Sequence, residues 1–219
     1  TWASSLGIKS AEGNLEEGTL KLAKRSERRR QKALTDLDGL AVNELDADQQ
    51  LDRLALRSML MGECEDFDRG VHLMDPSAID ELFGVLLQEL QRGEDEPTRA
   101  RRNIHNLLKQ APRYLRQSAK RLKTPEVVWL RIMEQTVDGS AAFLKALRDF
   151  LGVSAEKFIC QLERNVEFYH RAVMKKPLAP LKSFALGAQG LQRRVNDELG
   201  LDYSLGQIEA IALSEADRI

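Results

Sequence analysis

Apolar residues recur along most of this chain at steps of three and four residues, the spacing that places side chains on one face of an α-helix. The clearest stripe follows Asp75-Pro76-Ser77 and consists of Ile79, Leu82, Phe83, Leu86, Leu87 and Leu90. A strand is marked by alternation of β-branched and polar residues, and no segment of the sequence shows such alternation over four or more residues. A short strand near residues 1–8 is the one that the sequence leaves open. The sequence therefore predicts an all-α fold, a multi-helix array of antiparallel helices with little or no sheet.

Proline, glycine and capping residues divide the chain into successive helices. Pro97 and Thr124-Pro125 are placed to open helices, and Gly152 is placed to end one in a left-handed conformation. Pro112 lacks a backbone N–H and predicts a kink or a restart of the helix that contains it. A longer helix of helical apolar spacing is predicted from Ser154 up to Lys175-Lys176-Pro177.

The predicted organisation is one helical domain over residues 1–219, with a peripheral helical arm at 1–45 and a helical core at 46–219. Within the core, residues 48–68 are apolar round much of the helix circumference, which predicts a central helix. Residues 14–36 carry sparse leucines among dense charge and predict a peripheral helix. A chain of 219 residues is long enough to bury a core without disulfides or metal.

Charge patterning is the most uneven feature. Lys and Arg number 33 against 34 Asp and Glu, so no global field attracts nucleic acid or a membrane surface. Between residues 99 and 123, however, all nine formal charges are positive: Arg99, Arg101, Arg102, Lys109, Arg113, Arg116, Lys120, Arg121 and Lys123. This basic run is a candidate anion-binding patch that could follow phosphates. A solvated helix face beside acidic stretches is the alternative, and we favour it.

Candidate catalytic and metal-binding groups are few. The chain has three histidines: His72, His105 and His170. No two of them are one helical turn apart, so a shared metal site is not predicted. Cys64 stands among carboxylates, which raise the pKa of a thiol, and Cys160 has no histidine placed to activate it. Both cysteines are therefore predicted to be free thiols in the core. The acids at 63–68 predict a solvated helix end. The sequence predicts no catalytic and no metal-binding residue. With no apolar run of membrane-spanning length, it predicts a soluble chain.

Several phrases together resemble the amino-terminal half of a bacterial protein family, domain of unknown function 885. These phrases are Asp52–Leu60, Asp75-Pro76-Ser77, Asn106–Leu108 with Pro112, Tyr114 and Leu115, Thr136–Gly139 and Leu186–Ala188. Members of that family are largely helical and resemble zinc metallopeptidases, because their carboxy-terminal half carries a His-Glu-x-x-His motif. That motif does not occur in this sequence.

The resemblance implies a helical amino-terminal part of a zinc-metallopeptidase-like protein that is inactive alone and forms one wall of a substrate cleft. Zinc is then expected only in the missing carboxy-terminal half. The expected partners are that half and a peptide substrate, and no interaction with a membrane is expected. Self-association through an exposed apolar patch is also expected. The alternative is a non-enzymatic helical interaction domain whose basic run binds an acidic partner or, less favoured, nucleic acid.

Overall fold

The computed structural model describes residues 12–218, and its backbone there forms α-helices, 3-10 turns, a π-helical segment (Arg194–Glu198) and connecting loops, without strands. In chain order the helices are α1 (Leu20–Asp38), α2 (Ala47–Asp68), α3 (Ala78–Arg92), α4 (Pro97–Arg121), α5 (Val127–Asp138), α6 (Ser140–Leu151), α7 (Glu156–Met174), α8 (Gly187–Arg193) and α9 (Leu205–Ala216). The predicted all-α, multi-helix fold is confirmed. The strand considered at residues 1–8 lies outside the described residues.

The described residues divide into two compact units. The first unit contains residues 12–23 and 72–181, and therefore helices α3 to α7. The second unit contains residues 24–71 and 182–218, and therefore most of α1 together with α2, α8 and α9. In residues 12–218, no helix combines the length and the apolar character needed to cross a bilayer.

Helix α4 lies at the centre of the first unit, packed against α3 and α7. The largest fully buried side chains of this unit are Ile79, Leu82, Leu86, Ile104, Leu107, Leu108, Leu115, Leu122, Met133, Leu147, Ile159 and Tyr169. Burying one such aliphatic side chain contributes about 1.5–3 kcal/mol relative to leaving it in water. The predicted α3 stripe is confirmed at Ile79, Leu82, Phe83 and Leu86, whereas Leu90 is half-buried and Leu87 is 43% exposed. It follows Leu86 by one residue and is therefore rotated about 100° round the helix.

The helix boundaries agree with the signals at Pro97 and Gly152 but not with those at Pro112, Ser77 and Thr124-Pro125. Pro97 opens α4, and Gly152 has a φ of 76° just after α6. Helix α4 continues through Pro112 without a restart, because residues on both sides of the proline are held in the core. Ser77 does not cap α3 with its side chain. Glu126, rather than Thr124, caps α5 by accepting a hydrogen bond of 2.7 Å from the Val128 N–H.

The second unit exposes much of its apolar surface. Helix α2 begins with a capping box formed by Asp46 and Gln49. The prediction that this helix is central is wrong for Leu51, Leu54 and Leu56, which are 65%, 54% and 42% exposed. Leu60 is the side chain of α2 that is buried. The helix packs mainly against residues 194–198, so a sequence that is apolar all round is covered on one side.

Candidate functional site

Helix α4 separates an apolar face from a charged one. Its core-facing residues are buried, whereas four cations recur at steps of four, three and four residues and share the opposite, exposed face. We call these four residues the basic stripe: Lys109, Arg113, Arg116 and Lys120. The stripe belongs to the predicted basic run, and α4 holds every member of that run except Lys123.

Two arginines of the basic run are held by other residues of the first unit. Arg99 donates to the Glu12 carboxylate and, at 2.6 Å, to Glu96. The hydrogen bond from Arg99 lowers the pKa of Glu12. Arg101 donates 3.2 Å to the carbonyl oxygen of Phe150, and its guanidinium carbon lies 5.1 Å from the centre of that ring. Both arginines are therefore engaged by other groups of the protein.

The remaining members of the run differ in how they are neutralised. Arg113 is paired with Glu17, and Lys109 lies 6.0 Å from the Phe158 ring centre. Arg121 is half-buried, and its Nε atom has no hydrogen-bond partner within the described residues. Exposed members of the run without an acidic partner within 4 Å, as far as residues 12–218 are concerned, are Arg101, Arg102, Lys109, Arg116, Lys120 and Lys123. The run is therefore interrupted rather than continuous.

Arg116 shares a cavity with residues of another helix. It lines an open cavity of about 520 Å³ with five residues of α7, and we call this cavity the cationic groove. The α7 residues are Lys157, Gln161, Arg164, Asn165 and Phe168. Arg164 donates 3.2 Å to the carbonyl of its own helix at Cys160, and Asn165 donates 2.6 Å to that of Gln161. Sequence reasoning missed Lys157 and Arg164, because it did not pair α7 with α4.

A polar cluster surrounds the start of α3. The Ser77 N–H donates 2.9 Å to Asp75, and the Ser77 hydroxyl lies 3.0 Å from Asp75 and 3.2 Å from Glu81. One hydroxyl proton can serve only one of those carboxylates at a time. Glu81 also accepts a hydrogen bond from the buried Tyr114 hydroxyl. Burial raises the pKa of Asp75 and, more strongly, that of Tyr114.

Two further contacts extend this cluster to other helices. Tyr169 of α7 donates 3.1 Å to the carbonyl oxygen of Pro76, and its ring is buried. Thr136 of α5 donates to Asp80 in the first turn of α3. Three of the phrases that carry the family resemblance therefore meet where α3, α4 and α5 adjoin. Their contacts are structural ones, because each joins one helix to another.

The histidines do not form a metal centre in the described part of the chain. The Nδ1 atom of His105 lies 2.9 Å from the carbonyl oxygen of Arg101, and its ring packs edge-on against Phe158. Within residues 12–218, no group of three or more His, Cys, Asp or Glu side chains is arranged to hold a metal ion.

Both cysteines are free thiols. Burial, followed by a hydrogen bond with Glu27, raises the pKa of Cys64 to about 11. The predicted direction is confirmed, although the main carboxylate comes from α1 instead of the neighbouring positions on α2. Cys160 donates 3.2 Å from its thiol to the exposed Glu156 one turn earlier. The prediction of core thiols is wrong for both cysteines, because each is only partly buried.

Three of the four acids at 63–68 are ion-paired rather than simply solvated. The pairs within the second unit are Glu63 with Arg30, Glu65 with Arg193, and Asp66 with Arg194. A cavity of about 700 Å³ opens beside them, lined by Glu65, Arg193 and Cys64 among others. Since each cation is matched by a carboxylate, this cavity carries no clear excess of either charge.

Comparison with known proteins adds no identification. No protein-family model matches the chain, and no similar curated protein or solved structure was found. Interpretation of the site therefore depends on the residues themselves.

Proposed function

We propose that this chain is a helical scaffold from a zinc-metallopeptidase-like protein of the domain of unknown function 885 family, forming one wall of its substrate cleft. The proposal starts from the sequence phrases that resemble the amino-terminal half of that family. It assigns no catalytic residue to the chain, and it expects peptide hydrolysis only in a protein that also contains a His-Glu-x-x-His motif.

The observation that supports a scaffold role is the meeting of three of those phrases at the start of α3. Tyr114 of α4 donates to Glu81, and Thr136 of α5 donates to Asp80, in the first turn of α3. The Ser77 hydroxyl lies 3.2 Å from the same Glu81 carboxylate. Polar contacts that are satisfied inside a protein fix helix positions, since an unmatched buried polar group costs about 1–3 kcal/mol. Residues used in this way define a rigid wall and are not available to bind substrate.

The described residues do not fit the zinc that the family implies. A zincin helix needs two histidines one turn apart and a glutamate between them. His105 is already engaged through Nδ1 with a carbonyl of its own helix. We therefore derive no catalytic step through a metal here, and the proposal places the metal ligands outside these 219 residues.

The test compares this chain with the protein encoded by the whole reading frame. Zinc is measured after exhaustive dialysis, and peptide hydrolysis is followed with a mixture of unstructured peptides. We expect bound zinc and hydrolysis in the complete protein and neither in the 219-residue chain. A reading frame without a His-Glu-x-x-His motif, or stoichiometric zinc binding by this chain alone, would contradict the proposal.

The alternative, an interaction domain that follows a long polyanion with its basic run, has less support. Arg99, Arg101 and Arg113 are engaged by the protein's own groups. Tyr114, the aromatic residue within the run, is buried and cannot stack on a base.

A further inference from the structure

We propose that the cationic groove between α4 and α7 binds a small organic phosphate monoester. The inference is independent of the proposed peptidase scaffold, because it depends only on the groove residues of the first unit. It uses one member of the predicted basic run, Arg116, and two cations of α7 that the run does not contain, Lys157 and Arg164.

The cationic groove carries a net positive charge. Arg116, Lys157 and Arg164 line it, and no acidic side chain does. Acids elsewhere on α7 have their own partners, since Glu163 accepts 2.7 Å from Arg148. Three like charges around one cavity repel one another, so a multivalent anion bound among them relieves that repulsion.

The three cations of the groove suit a phosphate monoester better than a carboxylate. A phosphate monoester has a second pKa of about 6, so it carries close to two negative charges at neutral pH and presents three acceptor oxygens. A carboxylate carries one charge and two oxygens. Two guanidinium groups and one ammonium group suit the larger charge, and guanidinium matches phosphate oxygens in a bidentate way.

The size and the wall of the groove suit a small organic molecule. A cavity of about 520 Å³ has the size of a small-molecule site. Phe168 forms part of its wall and is 44% exposed, which offers a flat apolar surface to the organic part of a ligand. Because the basic run is interrupted at Arg99, Arg101 and Arg113, a compact anion fits better than a long polymer.

The experiment is a nuclear magnetic resonance titration of the complete 219-residue chain with phenyl phosphate, with benzoate as the carboxylate of the same ring. We expect saturable shifts in the amide signals of residues 116, 157–168 and their neighbours. Binding of phenyl phosphate should be tighter than that of benzoate and should strengthen as the pH rises through about 6, where the second phosphate proton is lost. A response to benzoate equal to that of phenyl phosphate would overturn the proposal.

Matched variants separate the groove from general charge. Arg116→Glu and Arg164→Glu should each weaken phenyl phosphate binding by about tenfold or more, because each replaces an attraction by a repulsion. Arg102→Glu changes the net charge equally on the same face of α4, but lies fourteen residues away, about 21 Å along the axis. It should leave binding unchanged. Circular dichroism establishes that each variant is folded, and Arg116→Gln serves where the reversal unfolds the chain.

Two further arms test other sources of phosphate. Vesicles containing phosphatidylglycerol and a single-stranded oligonucleotide are titrated under the same conditions. Tighter binding of either than of phenyl phosphate, lost in Arg116→Glu, would replace a small ligand by a lipid surface or a nucleic acid and so overturn the proposal. Unsaturable shifts spread over all exposed cations, or equal loss in Arg102→Glu, would also overturn it.

Discussion

Two adjacent leucines of α3 offer a sharp test of how burial stabilises the first unit. Leu86 is fully buried in the core, whereas Leu87 is 43% exposed. Both lie in the interior of the same helix, so replacing either by alanine changes helix propensity by the same small amount. Any difference between Leu86→Ala and Leu87→Ala therefore reports burial and packing.

The expected magnitudes follow from the two environments. Leu86→Ala removes buried methyl groups and leaves a cavity in a packed core, which costs about 3 kcal/mol within a usual range of roughly 2–5 kcal/mol. Leu87→Ala removes a side chain that is already partly in water and leaves no enclosed cavity, so the cost should be about 1 kcal/mol or less. The free energy of unfolding should thus differ by about 2 kcal/mol between the variants.

The assay is guanidinium unfolding followed by circular dichroism, combined with hydrogen exchange of peptides from α3. Exchange is needed because two compact units need not unfold together. Leu86→Ala should lower the protection of α3 much more than Leu87→Ala. Equal losses, or a larger loss in Leu87→Ala, would refute the assignment of the core face of this helix.

Three other predictions concern residues whose surroundings the structure describes. Gly18→Ala should lower the free energy of unfolding, measured by thermal unfolding, by more than about 1 kcal/mol, because its Cβ would lie 2.8 Å from a backbone nitrogen of α4. Gly84→Ala, whose Cβ would meet nothing within 4 Å, should raise that free energy by about 0.5–1 kcal/mol. Burial raises the pKa of Tyr114, so the stability that its neutral form supports is present below the unfolded pKa of about 10 and falls as the pH rises above that value. Tyr114→Phe should reduce this loss of stability at alkaline pH. An unchanged dependence of stability on pH would contradict the prediction. With Cys160→Ser as background, Cys64 should react with iodoacetamide at least about tenfold more slowly when folded than in denaturant, and equal rates would show its pKa is ordinary.

Local helical structure could be predicted from the sequence because its signals are themselves local. The stripe of α3 and the glycine after α6 specify a helix and its end within a few residues. The same reasoning failed for α2, since an apolar circumference does not show how many neighbouring helices will cover it. Leu51 and Leu54 are exposed although their spacing resembles that of core residues.

The candidate site could be predicted only in part, because its partners are distant in sequence. Arg116 was found as one of a run of cations, and its exposed face follows from helical spacing. Lys157 and Arg164 also share one face of α7, but nothing local indicates that this face adjoins α4. The sequence does not predict the pairing of Arg99 with Glu12 either, because the two residues are 87 positions apart.

The charge left free on α4 follows from what covers each side of the helix. One side is buried in the core, and a second is covered by the segment that contains Glu12 and Gly18, whose glycine lets the chain approach the α4 backbone closely. Acidic residues of that segment neutralise Arg99 and Arg113. Arg116 remains without an acidic partner in the described chain and lines the groove with α7. The selectivity of any anion for this surface should therefore depend on the α4 and α7 cations together, and not on the length of the basic run.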